Sequence, residues 1–404
     1  MNYTTPNAYT EGTDALRIQA AIADAKKTGC NTVLIPRRNE ATGEDLWIID
    51  QTVRLPSDIT VILDGCHLRM ADGVMCRMLE NENAEEAVGL LPEGTQQNIH
   101  LVGRGGALLD GGLDNGLCEK TGGKNGLPSV WNNLTVYFHN VQNFSISGLT
   151  VRDQRWWAIC LMYSSFGKIS DIRFEITVRY PRGIDTETGY WRNQDGIDLR
   201  VGCHDITIEG ISGETGDDVI ACTALAGQGG YEAARHVAGT SKNIYNVNIR
   251  DVKATCNLCA VVRLLSHRRN QLYNVVIDGI YATERDGVRA DTAIRLNEHS
   301  YYGGEMENKL KMGEMRNISV RNVFAETVRS ALLFSGELCD ISVKDVFVSS
   351  DAVALHTLDH FGDLEVFNRF KNFTLEGIHA KNIKHFVNTT EENVVLRDLF
   401  ETQS

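Results

Sequence analysis

One phrase recurs along most of this chain of 404 residues. It is an Asn or Asp, then Ile, Val, Phe or Leu alternating with polar residues, then Gly, Asn or Asp and one more apolar residue. It reads Asn143-Phe144-Ser145-Ile146-Ser147-Gly148-Leu149, Asp205-Ile206-Thr207-Ile208-Glu209-Gly210-Ile211, Asn243-Ile244-Tyr245-Asn246-Val247-Asn248-Ile249 and Asn274-Val275-Val276-Ile277-Asp278-Gly279-Ile280. It returns around 98–101, 317–323, 340–343, 372–378 and 393–396. Alternation with period two in β-branched residues marks a strand with one buried face. Leu375 and Leu396 stand 21 residues apart, Val320 and Val343 23, and Ile249 and Ile277 28, while wider gaps leave room for inserted loops. Units this short cannot bury a face alone and must stack on copies of themselves.

A β-sandwich also carries many short strands. Here the wording itself repeats, the strands outnumber those of an ordinary sandwich, and few hairpin dipeptides separate them. The expectation is therefore an all-β chain: a right-handed parallel β-helix, one solenoid domain over 1–404. Its first part reads differently. Thr13-Asp14-Ala15-Leu16-Arg17-Ile18-Gln19-Ala20-Ala21-Ile22-Ala23-Asp24-Ala25 places Leu16, Ala20 and Ala23, with Ile18, Ile22 and Ala25, at helical spacings, and Gly29 follows as a stop. This predicts a capping helix within about 10–30 that covers the open end of the coils, where bare strand edges invite aggregation. Coils then fill about 31–404, opening with strands at 32–36, 52–56 and 59–65.

The formal net charge of -13 disfavours a surface for neutralising phosphates, so nucleic acid is not an expected partner. No apolar run is long enough to span a membrane and the first residues lack a secretion leader, so a cytoplasmic location is expected. The 10 cysteines are spread out, which points to reduced thiols rather than a disulfide framework. Cys256-Asn257-Leu258-Cys259 has a C-x-x-C spacing, but no second pair accompanies it, and packing is its expected role. The sequence does not set an oligomeric state.

Chemistry concentrates in Asn193-Gln194-Asp195-Gly196-Ile197-Asp198 and Thr215-Gly216-Asp217-Asp218-Val219-Ile220-Ala221. Asp195 and Asp217 are 22 residues apart, about one coil. Neighbouring strands lie about 4.8 Å apart, so Asp195 and the Asp217–Asp218 pair should sit side by side. Like charges packed together raise at least one pKa, so that an acid and a base coexist near neutral pH. Inverting cleavage of a glycosidic bond needs such a set, with carboxyl groups roughly 6.5–9.5 Å apart. A calcium site, or turn aspartates flanked by Gly196 and Gly216, would suit the same residues.

The wording Asn-x-Asp-Gly-x-Asp, followed one coil later by Gly-Asp-Asp-x-Ile-Ala, resembles glycoside hydrolase family 28, the polygalacturonase-like family within the pectin-lyase-like β-helix superfamily. Trp156-Trp157-Ala158-Ile159 resembles the W-x-I strand that precedes the site in that family. The resemblance implies Asp217 as general acid, with Asp195 and Asp218 holding and activating water. It implies a carbohydrate substrate and no metal or other cofactor. Family members that cut galacturonan carry Gly-His-Gly a coil later and then Arg-Ile-Lys. This chain has Cys256-Asn257-Leu258-Cys259-Ala260-Val261-Val262-Arg263-Leu264 in the first place and Thr292-Ala293-Ile294-Arg295-Leu296-Asn297 in the second. Asn193, Trp157, Arg263, Arg295 and His299 form the candidate sugar-binding set, Tyr190 and Trp191 are further rings for stacking, and His236 and His299 are candidates for the missing histidine. The expected function is an inverting glycosidase on a pectin-related or other glycan. The alternatives are a lyase or epimerase, and a glycan-binding β-helix without catalysis.

Overall fold

The computed structural model describes residues 2–112, 129–179, 193–225, 230–257, 259–298, 309–358, 360–361 and 364–402. These form two compact units, one of residues 1–194 with 228–240 and one of 195–227 with 241–404. Both units are built of right-handed parallel β-helix coils.

The first unit opens with a helix at Asp14–Thr28, where the Thr13 hydroxyl accepts from the Leu16 N–H at the start and Gly29, at φ 73°, ends it. Ala15, Ile18, Ala21, Ile22 and Ala25 are buried, whereas Leu16 is 47% exposed. Of the expected positions Ile18, Ile22 and Ala25 are buried, and Ala15 and Ala21 join them in place of Leu16 and Ala23, which face outward. This buried stripe covers the first strands, Thr32–Pro36, Trp47–Ile49 and Val53–Leu55. The strands Thr32–Pro36, Ile59–Asp64, Gln96–Arg104, Val141–Arg152 and Ser165–Glu175 then pair in parallel, coil upon coil. A second row pairs Val53–Leu55, Leu79–Asn81, Val136–His139 and Ile159–Met162.

The second unit repeats the plan. One row is His204–Thr215, Ile244–Cys256, Leu272–Ala282, Met315–Ala325, Glu337–Val348, Asn368–Ala380 and Thr389–Glu401. The other is Ile197–Leu199, Ile220–Ala224, Ala260–Ser266, Thr292–Leu296, Ser330–Phe334, Val353–Thr357 and Asn382–His385.

The recurring Asn explains itself in the backbone. Asp205, Asn246, Asn274 and Asn317 adopt φ of 54°, 55°, 56° and 52°, a left-handed bend that Asn and Asp tolerate better than branched residues. Each amide donates to the side chain one coil below, Asn246 to Asp205 at 2.9 Å, Asn274 to Asn246 at 3.0 Å and Asn317 to Asn274 at 3.2 Å. The ladder member in its coil is Asn246, not Asn243, because Asn274 stacks on it. Farther along each strand a second left-handed bend falls at Gly210, Asp251, Gly279, Asn322, Asp345 and Gly377. Gly377 is held there by space as well as by φ, since a Cβ would come within 2.7 Å of an Asp345 carboxylate oxygen. Between the two bends the alternation buries Ile206, Ile208 and Ile211 in one coil and Val275, Ile277 and Ile280 in another.

Candidate active site

Four strands of the second unit build the site. Ile197, Ile220, Val262 and Ile294 are in register and fully buried, which fixes Asp198, Ala221, Arg263 and Arg295 as the alternate column. Two ladder bonds, Gly196 N–H to the Asp218 carbonyl and Ile197 N–H to the Val219 carbonyl, both 2.9 Å, carry the register back and set Asp195 opposite Asp218. Ile197 pairs with Ile220, a step one residue longer than the spacing from Asp195 to Asp217. Asp218 is therefore the direct neighbour of Asp195 across the coils, and Asp217 the next residue. On the other side, the Val219 N–H donates to the Ala260 carbonyl at 3.1 Å, which sets Asp218 opposite Ala260 and Asp217 opposite Cys259.

Asp218 is buried and held at both oxygens: Oδ1 accepts from the Ala260 N–H at 2.9 Å and Oδ2 from Arg263 Nη1 at 2.9 Å. Asp195 and Asp198 are buried as well, and Asp217 is half-buried. Burial, reinforced by the Asp198, Asp217 and Asp218 carboxylates, pushes the Asp195 carboxyl well above the ordinary carboxylate range, against the opposing pull of Arg263. Asp195 is thus the carboxyl of the cluster that burial and its acidic neighbours push toward the protonated form. Asp198 adds to the crowding, and its own counter-charge, Arg200 Nη1, lies 3.8 Å away.

The arginine column continues from there. Arg263 turns its second amino group to Glu298. Arg295, in register with Arg263, donates to Glu298 Oε2 at 3.0 Å and to Asp291 Oδ2 at 3.0 Å. Arg263, Arg295 and Glu298 are all buried. Guanidinium forks suit such paired carboxylates, and breaking one member inside a buried network leaves a charge without its counter-charge.

The structure thus gathers Asp195, Asp217, Asp218, Arg263 and Arg295 in one unit. Asn193 and Trp157 belong to the other. There the Trp157 indole N–H donates to Asn193 Oδ1 at 3.0 Å, and the ring stands edge-on to Trp131 with centroids 5.2 Å apart. At 2% exposure Trp157 is a wall residue, which corrects the expectation of an open stacking platform. His236 also belongs to the first unit, where its Nδ1 and the Tyr163 hydroxyl are 2.9 Å apart. His299, Tyr190 and Trp191 lie outside the described residues.

Sequence reasoning passed over four members of the site. Asp198 was visible within the motif but assigned no role. Asp291 and Glu298 flank the Arg295 strand and carry no motif of their own. Cys259, expected only to pack, takes the place opposite Asp217. Asp217, Asp218 and Cys259 bring ligand atoms within 4.8 Å of one another, a set that can gather round a cation. Burial drives the Cys259 thiol well above its usual range, which opposes the thiolate form that metals prefer. Cys256 and Cys259 are not disulfide-linked.

Residues 94–234 match the family described as glycosyl hydrolases family 28. The matched segment contains Asp195, Asp217 and Asp218. Arg263, Asp291, Arg295 and Glu298 fall beyond the family 28 segment. By sequence, no curated protein matches the chain. Among solved structures, an exopolygalacturonase from Thermotoga maritima aligns over 98% of this chain and 92% of its own at 16% identity, with a TM-score of 0.59. A family 28 exopolygalacturonase from Yersinia enterocolitica aligns over 98% and 76% at 13% identity, with a TM-score of 0.54. PfbA, a surface adhesin of Streptococcus pneumoniae, aligns over 98% and 92% at 13% identity, with a TM-score of 0.57. At these identities the structural likeness establishes the parallel β-helix fold.

Proposed function

We propose that the chain hydrolyses a glycosidic bond in a pectin-related poly- or oligosaccharide, with inversion at the anomeric carbon. The observation that carries this reading is the register of Asp195 with Asp218, beside Asp217, which crowds three carboxyl groups and pushes that of Asp195 upward. Asp217 is half-buried and so open to substrate, and it acts as the general acid on the leaving oxygen. The proton that Asp195 favours at rest passes to Asp217 when substrate is bound, which leaves Asp195 and Asp218 as carboxylates to orient a water and take its proton. The leaving oxygen gains one proton, the water loses one, and the cluster ends with its proton count unchanged. The two exopolygalacturonases that share the fold support a pectin-like substrate class.

The test is release of reducing ends from a panel of pectin-derived and other glycans by the wild type and by Asp217→Asn. The expected result is hydrolysis of at least one glycan by the wild type and a loss of about a thousandfold in the variant, the scale of a lost general acid, with an unchanged melting temperature. A folded Asp217→Asn chain with wild-type activity would sink the assignment. Unsaturated uronide products, lost on adding chelator, would replace hydrolysis with elimination. Saturable binding without turnover by the wild type would leave a glycan-binding β-helix.

A further inference from the structure

We infer that Glu298 sets the charge class of one sugar position: it occupies the guanidinium pair beside the acid cluster, so that the unit of the pectin-related glycan seated there is an uncharged sugar. This rests on the hydrolase reading for the position of the sugar, not for the chemistry of the pocket. Arg263 and Arg295 stand in register on adjacent coils and are both nearly buried. Two parallel forks of this kind make a ready receptor for a carboxylate. In this chain that receptor is already filled from within. Glu298 bridges both arginines, at 3.0 Å from Arg295 and in direct contact with Arg263. The other amino group of each guanidinium goes to Asp218 at 2.9 Å and to Asp291 at 3.0 Å, respectively. Asp291 in turn also faces Arg329 at 3.3 Å.

The balance of charge points the same way. Among the described residues, Asp195, Asp198, Asp217, Asp218, Asp291 and Glu298 stand around Arg200, Arg263, Arg295 and Arg329, and even with Asp195 protonated the acids outnumber the bases. A uronate entering this patch would have to displace a buried internal carboxylate and then face the aspartate cluster. A neutral sugar meets neither cost. Exclusion by a repulsive internal group is a common route to specificity, because the wrong ligand pays for the unpaired charge it creates.

The decisive experiment measures affinity rather than turnover. Trigalacturonate and its carboxyl-reduced counterpart, in which each carboxylate becomes a hydroxymethyl group, are titrated calorimetrically into the full chain and into Glu298→Gln. The wild type is expected to bind the reduced trimer at least about tenfold more tightly than the charged one. Glu298→Gln should gain about tenfold or more for trigalacturonate, while its affinity for the reduced trimer changes little. Wild-type preference for the charged trimer overturns the inference, and so does a folded Glu298→Gln chain that gains nothing for it. If Glu298→Gln does not fold, Asp291→Asn, which loosens one arm of Arg295, should show a smaller gain in the same direction. Failure of the hydrolase reading shows separately, as absence of reducing-end release from every glycan of the panel, and leaves these affinities to decide the charge preference alone.

Discussion

Two charged columns run across the coils of the second unit, and they follow opposite rules. On the long-strand row, Glu209, Arg250, Asp278, Arg321, Lys344, Glu376 and Arg397 lie in register, one per coil. Most neighbours there carry opposite signs: Arg250 meets Glu209 at 2.6 Å, Arg321 meets Asp278 at 2.8 Å and Lys344 meets Glu376 at 3.3 Å. These side chains are exposed or half-exposed. The short-strand row instead buries Asp198, Arg263 and Arg295, and crowds Asp195, Asp217 and Asp218 beside them. An exposed alternating ladder lowers repulsion at small energetic stake. A buried cluster of like charges is costly in folding free energy, and a fold keeps such a cost where chemistry needs a perturbed proton.

The contrast can be broken at its most expensive point first. Arg263→Met removes the guanidinium that faces both Asp218 and Glu298, leaving buried carboxylates without it. Chemical denaturation should show a loss of about 3–5 kcal/mol, and restoring neutrality with the double change Arg263→Met, Glu298→Gln should return part of it. An unchanged midpoint would mean that the buried network is as slack as the exposed one.

A smaller and opposite effect is expected at Asp195. Its carboxyl is raised in the folded chain, so below the ordinary carboxylate range folded and unfolded states are both protonated and nothing is lost. As the pH rises, the unfolded chain releases its proton first and folding loses stability. Asp195→Asn escapes that loss. Its melting temperature should exceed the wild type's at pH 7 by on the order of 1–2 °C, and the gain should vanish below about pH 4. A gain that grew on acidification would reverse the assigned direction.

The smallest effect belongs to the exposed column. Arg321→Ala removes the partner of Asp278 and should cost less than about 1 kcal/mol, shrinking further in high salt. A cost matching that of Arg263→Met would erase the distinction between the columns.

Much of the coil was legible because its signals are local. The Asn and Asp residues mark left-handed bends, and the alternation after them marks the buried face, both set within a few residues. Phase errors arose where two such residues compete, as Asn243 and Asn246 do. Leu16 was misread because alanines do not distinguish the face of a helix that a neighbour will cover. The aspartates were legible as a cluster, but their partners were not: a spacing of one coil is uncertain by a residue, and that residue decides whether Asp195 opposes Asp217 or Asp218. Glu298 and Asp291 left no trace, because their meaning comes from a parallel register with Arg263 that no local pattern encodes. Cys259 read as packing because its position opposite Asp217 likewise emerges only from the ladder.

Asp195 is the carboxyl of the cluster that burial and the Asp198, Asp217 and Asp218 carboxylates push toward its protonated form. The most direct measurement is the infrared difference spectrum of wild type minus Asp195→Asn at pH 6. A protonated carboxyl carbonyl band that shifts on deuteration and titrates away at higher pH is the predicted result. A difference spectrum holding only ionised carboxylate bands at pH 6 would contradict it.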